Sequence, residues 1–236
     1  MAIISSTYPQ TVCLDDSKIY RADCEHCTIR HLMLFAPLEM EKLSHWLWPI
    51  NHIITPAKKT IYHKGQPPHS IFSIRRGFVK LVQLRSNGEE SIVRLIGPGQ
   101  CIGLEALIGD SYYQDARAIT ELDFCAIPVK TIQQMQEDQP VLYGELQKQW
   151  NKQLEQANKW LTELLHGSTR DRLGRFLLMQ HQLQKLPDDQ VHLICNQDIA
   201  DILATTKESV SRGLSELRKE GLIKRVENRD YQLDLE

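Results

Sequence analysis

Asn196-Gln197-Asp198-Ile199-Ala200-Asp201-Ile202-Leu203-Ala204-Thr205-Thr206-Lys207-Glu208-Ser209-Val210-Ser211-Arg212-Gly213-Leu214-Ser215-Glu216-Leu217 is the stretch on which the fold turns. Asn196 is placed to cap a short helix with Ile199, Ala200 and Leu203 on its inner face, and Thr206 to cap a second with Val210, Leu214 and Leu217 inward. Two short helices with a brief break between them predict a helix-turn-helix. Glu208, Ser211 and Arg212 then fall on the outer face near the start of the second helix, with Thr206 and Lys207 at its N-terminus, where such a unit enters the major groove. Arg212 offers paired donors to guanine, Glu208 an acceptor to cytosine's amino group, and Ser211 a partner for either base type. Between positions 204 and 225 six basic residues (Lys207, Arg212, Arg218, Lys219, Lys224, Arg225) outnumber three acidic ones (Glu208, Glu216, Glu220), a local surplus suited to phosphates. A helical hairpin with a solvated charged face is the plain alternative. The sequel weighs against it: residues 223–226 and 231–235 are β-prone runs around Glu227-Asn228-Arg229-Asp230, which predict a hairpin wing.

Upstream, residues 169–178 read as an amphipathic helix and Leu186-Pro187-Asp188-Asp189 as the loop after it. Before Gly167-Ser168, apolar residues recur at Tyr143, Leu146, Trp150, Leu154, Ala157, Leu161 and Leu164, steps that keep one stripe on one helix face. The opposite face, with Gln147, Lys148, Asn151, Lys152, Glu155 and Lys159, is polar. A narrow stripe on so polar a helix predicts a homodimer seam, with packing on the chain's own core as the alternative. Earlier still, residues 52–128 break into short apolar runs punctuated by Gly65-Gln66-Pro67-Pro68, Gly77, Ser86-Asn87-Gly88 and Gly97-Pro98-Gly99, which predicts an antiparallel barrel or jelly roll. The expected fold class is α+β: an N-terminal domain with a β-barrel (1–138), a dimerisation helix (139–167) and a winged-helix DNA-binding domain (168–236).

The composition is that of a globular chain, 236 residues with 42% hydrophobic and 25% charged. No apolar run approaches the ~18 residues of a membrane span, and residues 1–10 lack a secretory pattern, so a cytoplasmic protein is expected. A net charge of −2 means that any surface for DNA must be local. In a reducing cytosol six cysteines are not a disulfide framework; burial, metal binding or redox chemistry must explain them.

The order barrel, long helix, winged helix resembles the CRP/FNR family of bacterial regulators over nearly the whole chain. Glu208-Ser209-Val210-Ser211-Arg212 is similar to the recognition helix of its FNR-like branch, and Gly97-Pro98-Gly99-Gln100-Cys101-Ile102-Gly103-Leu104-Glu105-Ala106-Leu107 to the family's barrel motif. The resemblance implies a homodimer on double-stranded DNA, a palindrome of TTGAT-type half-sites, and an N-terminal effector that changes DNA affinity. It also implies contact with RNA polymerase, for which residues 85–90 are the barrel loop to consider. Cyclic-nucleotide-binding relatives carry a ribose-binding glutamate after Ile-Gly and an arginine-serine pair for the phosphate. Here those places hold Leu104 and Gln114-Asp115, so cyclic AMP is not expected, although Arg117 lies nearby.

The FNR-like branch also implies an oxygen-sensitive four-iron cluster. Cys24-Glu25-His26-Cys27 and the barrel cysteine Cys125 resemble its ligands, while the place of the third N-terminal cysteine is Met33, leaving Cys13 as a substitute. Cys24 and Cys27 are equally compatible with zinc or a thiol switch, and the cysteines with an inert role. Cys101 and Cys195 read as small core residues. A haem sensor would draw on nine histidines, none singled out by its spacing. An enzyme of the cupin kind needs a His-x-His strand motif, and His63 and His69 lie across a turn instead; catalysis is not expected.

Overall fold

The computed structural model describes residues 15–86, 88, 90–184, 186 and 188–235, and divides the chain into two compact units, residues 1–153 and 154–236.

In the first unit the strands are β1 (Lys18–Arg21), β2 (Asn51–Thr55), β3 (Thr60–Tyr62), β4 (Ser70–Arg76), β5 (Val79–Leu84), β6 (Glu90–Ile96), β7 (Cys101–Ile102), β8 (Asp115–Ala118) and β9 (Leu122–Pro128). They form two antiparallel sheets, ordered β1-β2-β9-β4-β7 and β3-β8-β5-β6. Between β1 and β2 lie a 3₁₀ turn, Arg30–Leu32, and a short helix α1, Met40–Ser44; helix α2, Val129–Asp138, follows β9. Both sheets contribute to one core, with Ile53, Ile71, Phe72 and Phe124 from the first and Ile61, Val79, Leu81 and Ala116 from the second. Each of the valine, leucine, isoleucine and phenylalanine side chains contributes about 1.5–3 kcal/mol by leaving water.

Aromatic side chains fill part of this interior. Tyr62 stacks on Tyr112 with ring centroids 3.9 Å apart and lies 5.6 Å from Phe72. The Tyr112 hydroxyl donates to the Ser70 carbonyl at 2.6 Å. Gly77, at φ +89°, sits where any Cβ would fall 2.3 Å from the Glu121 carbonyl oxygen, so this turn admits only glycine.

Helix α3 runs from Val141 to Glu163 and splits the stripe seen in the sequence. Leu142 and Leu146 are buried in the barrel core and Trp150 packs against it, whereas Tyr143, Leu154 and Leu161 are exposed. The seam expected to face a partner is thus half used within the chain.

In the second unit, α4 (Thr169–Gln184), α5 (Asn196–Ile202) and α6 (Lys207–Lys219) accompany the strands β10 (Gln190–His192), β11 (Ile223–Glu227) and β12 (Asp230–Leu233), which form a sheet ordered β10-β12-β11. The wing is present as expected, with β10 as a third strand that the sequence pattern did not disclose. Cys195, rather than Asn196, caps α5: its sulfur accepts from the Asp198 backbone N–H at 3.4 Å. Cys195 is therefore half-exposed at a helix end, not a small core residue, whereas Cys101 is fully buried as expected. Among the described residues no helix is long and apolar enough to cross a membrane.

Candidate functional site

The face of α6 is set by its inward side. Val210, Gly213, Leu214 and Leu217 are buried, and a Cβ at Gly213 would meet Leu173 of α4 at 2.9 Å, so the two helices approach closely there. Helical geometry then turns Lys207, Glu208, Ser211 and Arg212 outward, and all four are exposed, as is Thr206. Thr206 caps the helix, its Oγ1 accepting from the Ser209 backbone N–H at 3.2 Å. Ala204 takes φ +45° in the break between α5 and α6, a left-handed conformation costing a non-glycine residue about 1 kcal/mol. Sequence reading passed over Ser215: its hydroxyl donates to the Ser211 carbonyl at 3.0 Å and accepts from Arg218, one of the basic residues already counted, at 3.0 Å. In the wing, Arg225 donates from Nε to the Asn228 carbonyl at 2.9 Å, holding the turn that leaves Lys224, Arg225 and Arg229 exposed.

A second locus lies in the barrel unit. Cys24, Cys27 and Cys125, separated by about a hundred residues of chain, line one pocket together with Asp23, Arg30, Met33, Ser73 and Arg75. Cys24 and Cys27 come from the segment after β1, and Cys125 from the middle of β9, directly across from His52 and Ser73 in register. Burial pushes the Cys24 thiol up to about 11, with Cys27 nearby adding to the shift, and burial raises Cys125 well above the ordinary thiol range. Both are held as neutral thiols at neutral pH. Arg75 reaches Asp123 at 3.5 Å, and Asp123 also takes His52 Nε2 at 2.8 Å.

These residues fit a four-iron cluster only in part. Cys24, Cys27 and Cys125 line one pocket with Met33, and Cys13, the substitute fourth ligand, lies outside the described residues. No group of three or more His, Cys, Asp or Glu side chains among the described residues is arranged to hold a metal ion.

The pocket is tied to α3 through a chain of buried and half-buried groups. The Ser73 hydroxyl donates to Met33 Sδ at 3.4 Å and accepts from Cys101 Sγ at 3.6 Å. The Cys101 carbonyl accepts from Gln153 Nε2 at 2.8 Å, and Gln153 Oε1 accepts from Arg94 at 2.7 Å.

At the positions where nucleotide-binding relatives hold their ligand, Leu104 is buried and Glu105 accepts from the Tyr113 backbone N–H at 3.3 Å. Arg117 is engaged by Asp115 at 2.9 Å and Glu90 at 2.5 Å. Although burial opposes it, the Lys64 backbone N–H and Arg117 hold the Asp115 carboxyl below its usual range, so the arginine stays paired.

Comparison with known proteins agrees with both halves. Residues 54–139 match the cyclic nucleotide-binding domain and residues 171–236 the Crp-like helix-turn-helix domain. The transcriptional regulator LdrP of Thermus thermophilus is 30% identical over 181 residues, covering 75% of this chain and 90% of that protein. The chain belongs to the CRP/FNR family of transcription regulators. The CRP/FNR likeness extends to the transcriptional activator protein anr of Pseudomonas aeruginosa, 24% identical over 86% of this chain and 85% of that protein. Among solved structures, FixK2 from Bradyrhizobium japonicum shares the CRP/FNR fold with a TM-score of 0.71 over 78% of this chain and 92% of that one, at 23% identity.

Proposed function

We propose that this regulator binds, as a homodimer, a palindrome of TTGAT-like half-sites, and that the cysteine pocket makes its DNA affinity respond to oxygen or redox state. The DNA reading rests on one observation: α6 turns Glu208, Ser211 and Arg212 outward on a single face beside its N-terminus. Arg212 carries no hydrogen bond or ion pair to another described residue, so its donors are free for guanine. Thr206 and Lys207, at the first turn, are the groups for flanking phosphates. The dimer reading rests on the exposed Tyr143, Leu154 and Leu161 of α3, which share one face. Contact of residues 85–90 with RNA polymerase is part of the same reading.

The sensory reading rests on the convergence of Cys24, Cys27 and Cys125. The links through Ser73, Cys101 and Gln153 give the pocket a physical route to α3, so a change at the sulfurs biases the helix that carries the dimer seam. A cluster, where bound, would supply an oxygen-labile group; Cys24, Cys27 and Cys125 would hold it. Cyclic AMP is disfavoured as the effector by the paired Arg117 and the buried Leu104.

The decisive experiment measures Arg212→Ala against cognate and random duplexes. Loss of about 1–3 kcal/mol on the cognate site, with relaxed choice at the guanine, is expected. Equal losses on both duplexes would remove Arg212 as a base reader.

A further inference from the structure

In the second unit, three helix ends meet the first two turns of α4. Helix α3 enters this unit at residue 154 and closes at Glu163, with the Leu164 N–H still donating to the Trp160 carbonyl at 3.0 Å. Helix α5 closes on Ala204, at φ +45°, and the Thr205 N–H reaches back to the Ala200 carbonyl at 2.9 Å. Such an ending satisfies carbonyls within the last turn and leaves the Leu203 carbonyl beyond it without a helical partner. The carbonyls of Leu203 and Leu164, distant in the chain, both face one nitrogen, Arg172 Nη1, at 2.8 and 3.5 Å. The other terminal nitrogen donates to the Thr169 hydroxyl at 3.4 Å, and Nε is buried without a partner. No carboxylate among the described residues pairs with this guanidinium. Its charge sits between the carbonyl ends of two helices, where a cation is favoured.

The linker between α3 and α4 is held at further points. Arg175 donates from Nη2 to the His166 carbonyl, and its Nε lies 3.8 Å from the Glu163 carboxylate. Gly167, at φ +96°, makes room for that arginine, since a Cβ there would fall 2.9 Å from Nη2. Ser168 caps α4, its Oγ accepting from the Asp171 N–H at 3.1 Å. Arg170 binds Glu220, which closes α6, through Nε at 3.1 Å and through Nη2. So many contacts leave little slack between the end of α3 and the helices that read DNA.

We propose that Arg172 is a positioning residue for DNA recognition: it locks the end of α3 to the turn between α5 and α6, so that the recognition helix moves with α3 and not independently of it. Arg212 reads a base; Arg172 touches none and fixes where that reading takes place. In a homodimer whose seam lies on α3, the lock sets the separation of the two copies of α6, and with it the half-site spacing that is accepted. For this last effect the inference rests on the dimer proposed above.

Two substitutions in the full-length protein test the lock. Arg172→Met keeps the packed stem and removes every donor, whereas Arg172→Lys keeps the charge on a single ammonium in place of the fork. Amide hydrogen exchange reads the link without DNA. In Arg172→Met the N–H groups of Leu164 and Thr205 are expected to exchange at least about tenfold faster, while residues 213–217 of α6 keep wild-type rates. Arg172→Lys is expected to release the Leu164 amide, whose contact is the longer of the two. An unchanged Leu164 amide in both variants overturns the lock; if α6 is released as well, Arg172→Met has unfolded the unit and Arg172→Lys alone decides. On DNA, the measurement compares a palindrome at the preferred spacing with one lengthened by a base pair. The wild type is expected to lose at least about tenfold on the longer site, and Arg172→Met at most about threefold. A variant that discriminates as the wild type does overturns the positioning role, whatever its affinity for a single half-site. A wild type indifferent to spacing sinks the dimer reading instead, and the lock then stands or falls on the exchange rates.

Discussion

Single residues decide the two ends of this molecule in different ways. On α6 the neighbours at 210, 213, 214 and 217 are buried, so the identities at 208, 211 and 212 are free of packing and available for chemistry. At Gly77 the reverse holds, because backbone geometry leaves no freedom at all. With φ at +89° and the Glu121 carbonyl 2.3 Å from any Cβ, Gly77→Ala combines left-handed strain with a backbone clash. It should destabilise the barrel unit by at least about 2 kcal/mol, read as a lowered denaturant midpoint at unchanged slope. A midpoint within error of the wild type would show that the turn relaxes without cost.

At the scale of elements, α3 carries two loads on one helix. Its first turns use Leu142, Leu146 and Trp150 in the barrel core, while Leu154 and Leu161 expose their side chains on a face shared with Tyr143. Exposed leucines in register along a helix are costly unless covered, and a second copy covers them symmetrically. The expected outcome for Leu154→Lys combined with Leu161→Glu is a monomer by sedimentation at micromolar concentration. Circular dichroism should be retained and affinity for a palindrome reduced at least about tenfold, since two half-sites no longer bind together. A dimer of unchanged affinity would place the interface elsewhere.

For the whole molecule, charge is arranged rather than accumulated. The net charge is −2, yet Lys207, Arg212, Arg218, Lys219, Lys224 and Arg225 all lie on exposed positions of α6 and the wing. Affinity for DNA should therefore fall steeply and linearly with the logarithm of salt despite the acidic total. Lys224→Ala should weaken cognate and random duplexes alike and reduce the salt slope by about one. A slope unchanged by that substitution would take the wing off the phosphates.

How much of this was legible beforehand follows from the range of the forces involved. The helix-turn-helix, the wing and the strand-rich barrel were readable because each is written in local periodicity and turn chemistry: Thr206 before Val210 and Leu214, and glycines where φ must be positive. The outward set Glu208, Ser211 and Arg212 was readable for the same reason, since helical spacing alone separates it from the buried face. Local pattern could not say that Cys195 rather than Asn196 caps α5, because either residue can accept from the N–H two or three positions on. Nor could it show that the apolar stripe of α3 divides between the barrel core and solvent, since periodicity records which side is apolar but not what covers it. Bringing Cys24 and Cys27 to Cys125, and Ser73 between Met33 and Cys101, belongs to tertiary structure alone. Strand register across β9, β4 and β7 sets Ser73 opposite both Cys125 and Cys101, and register is set by pairing between segments that are distant in the chain.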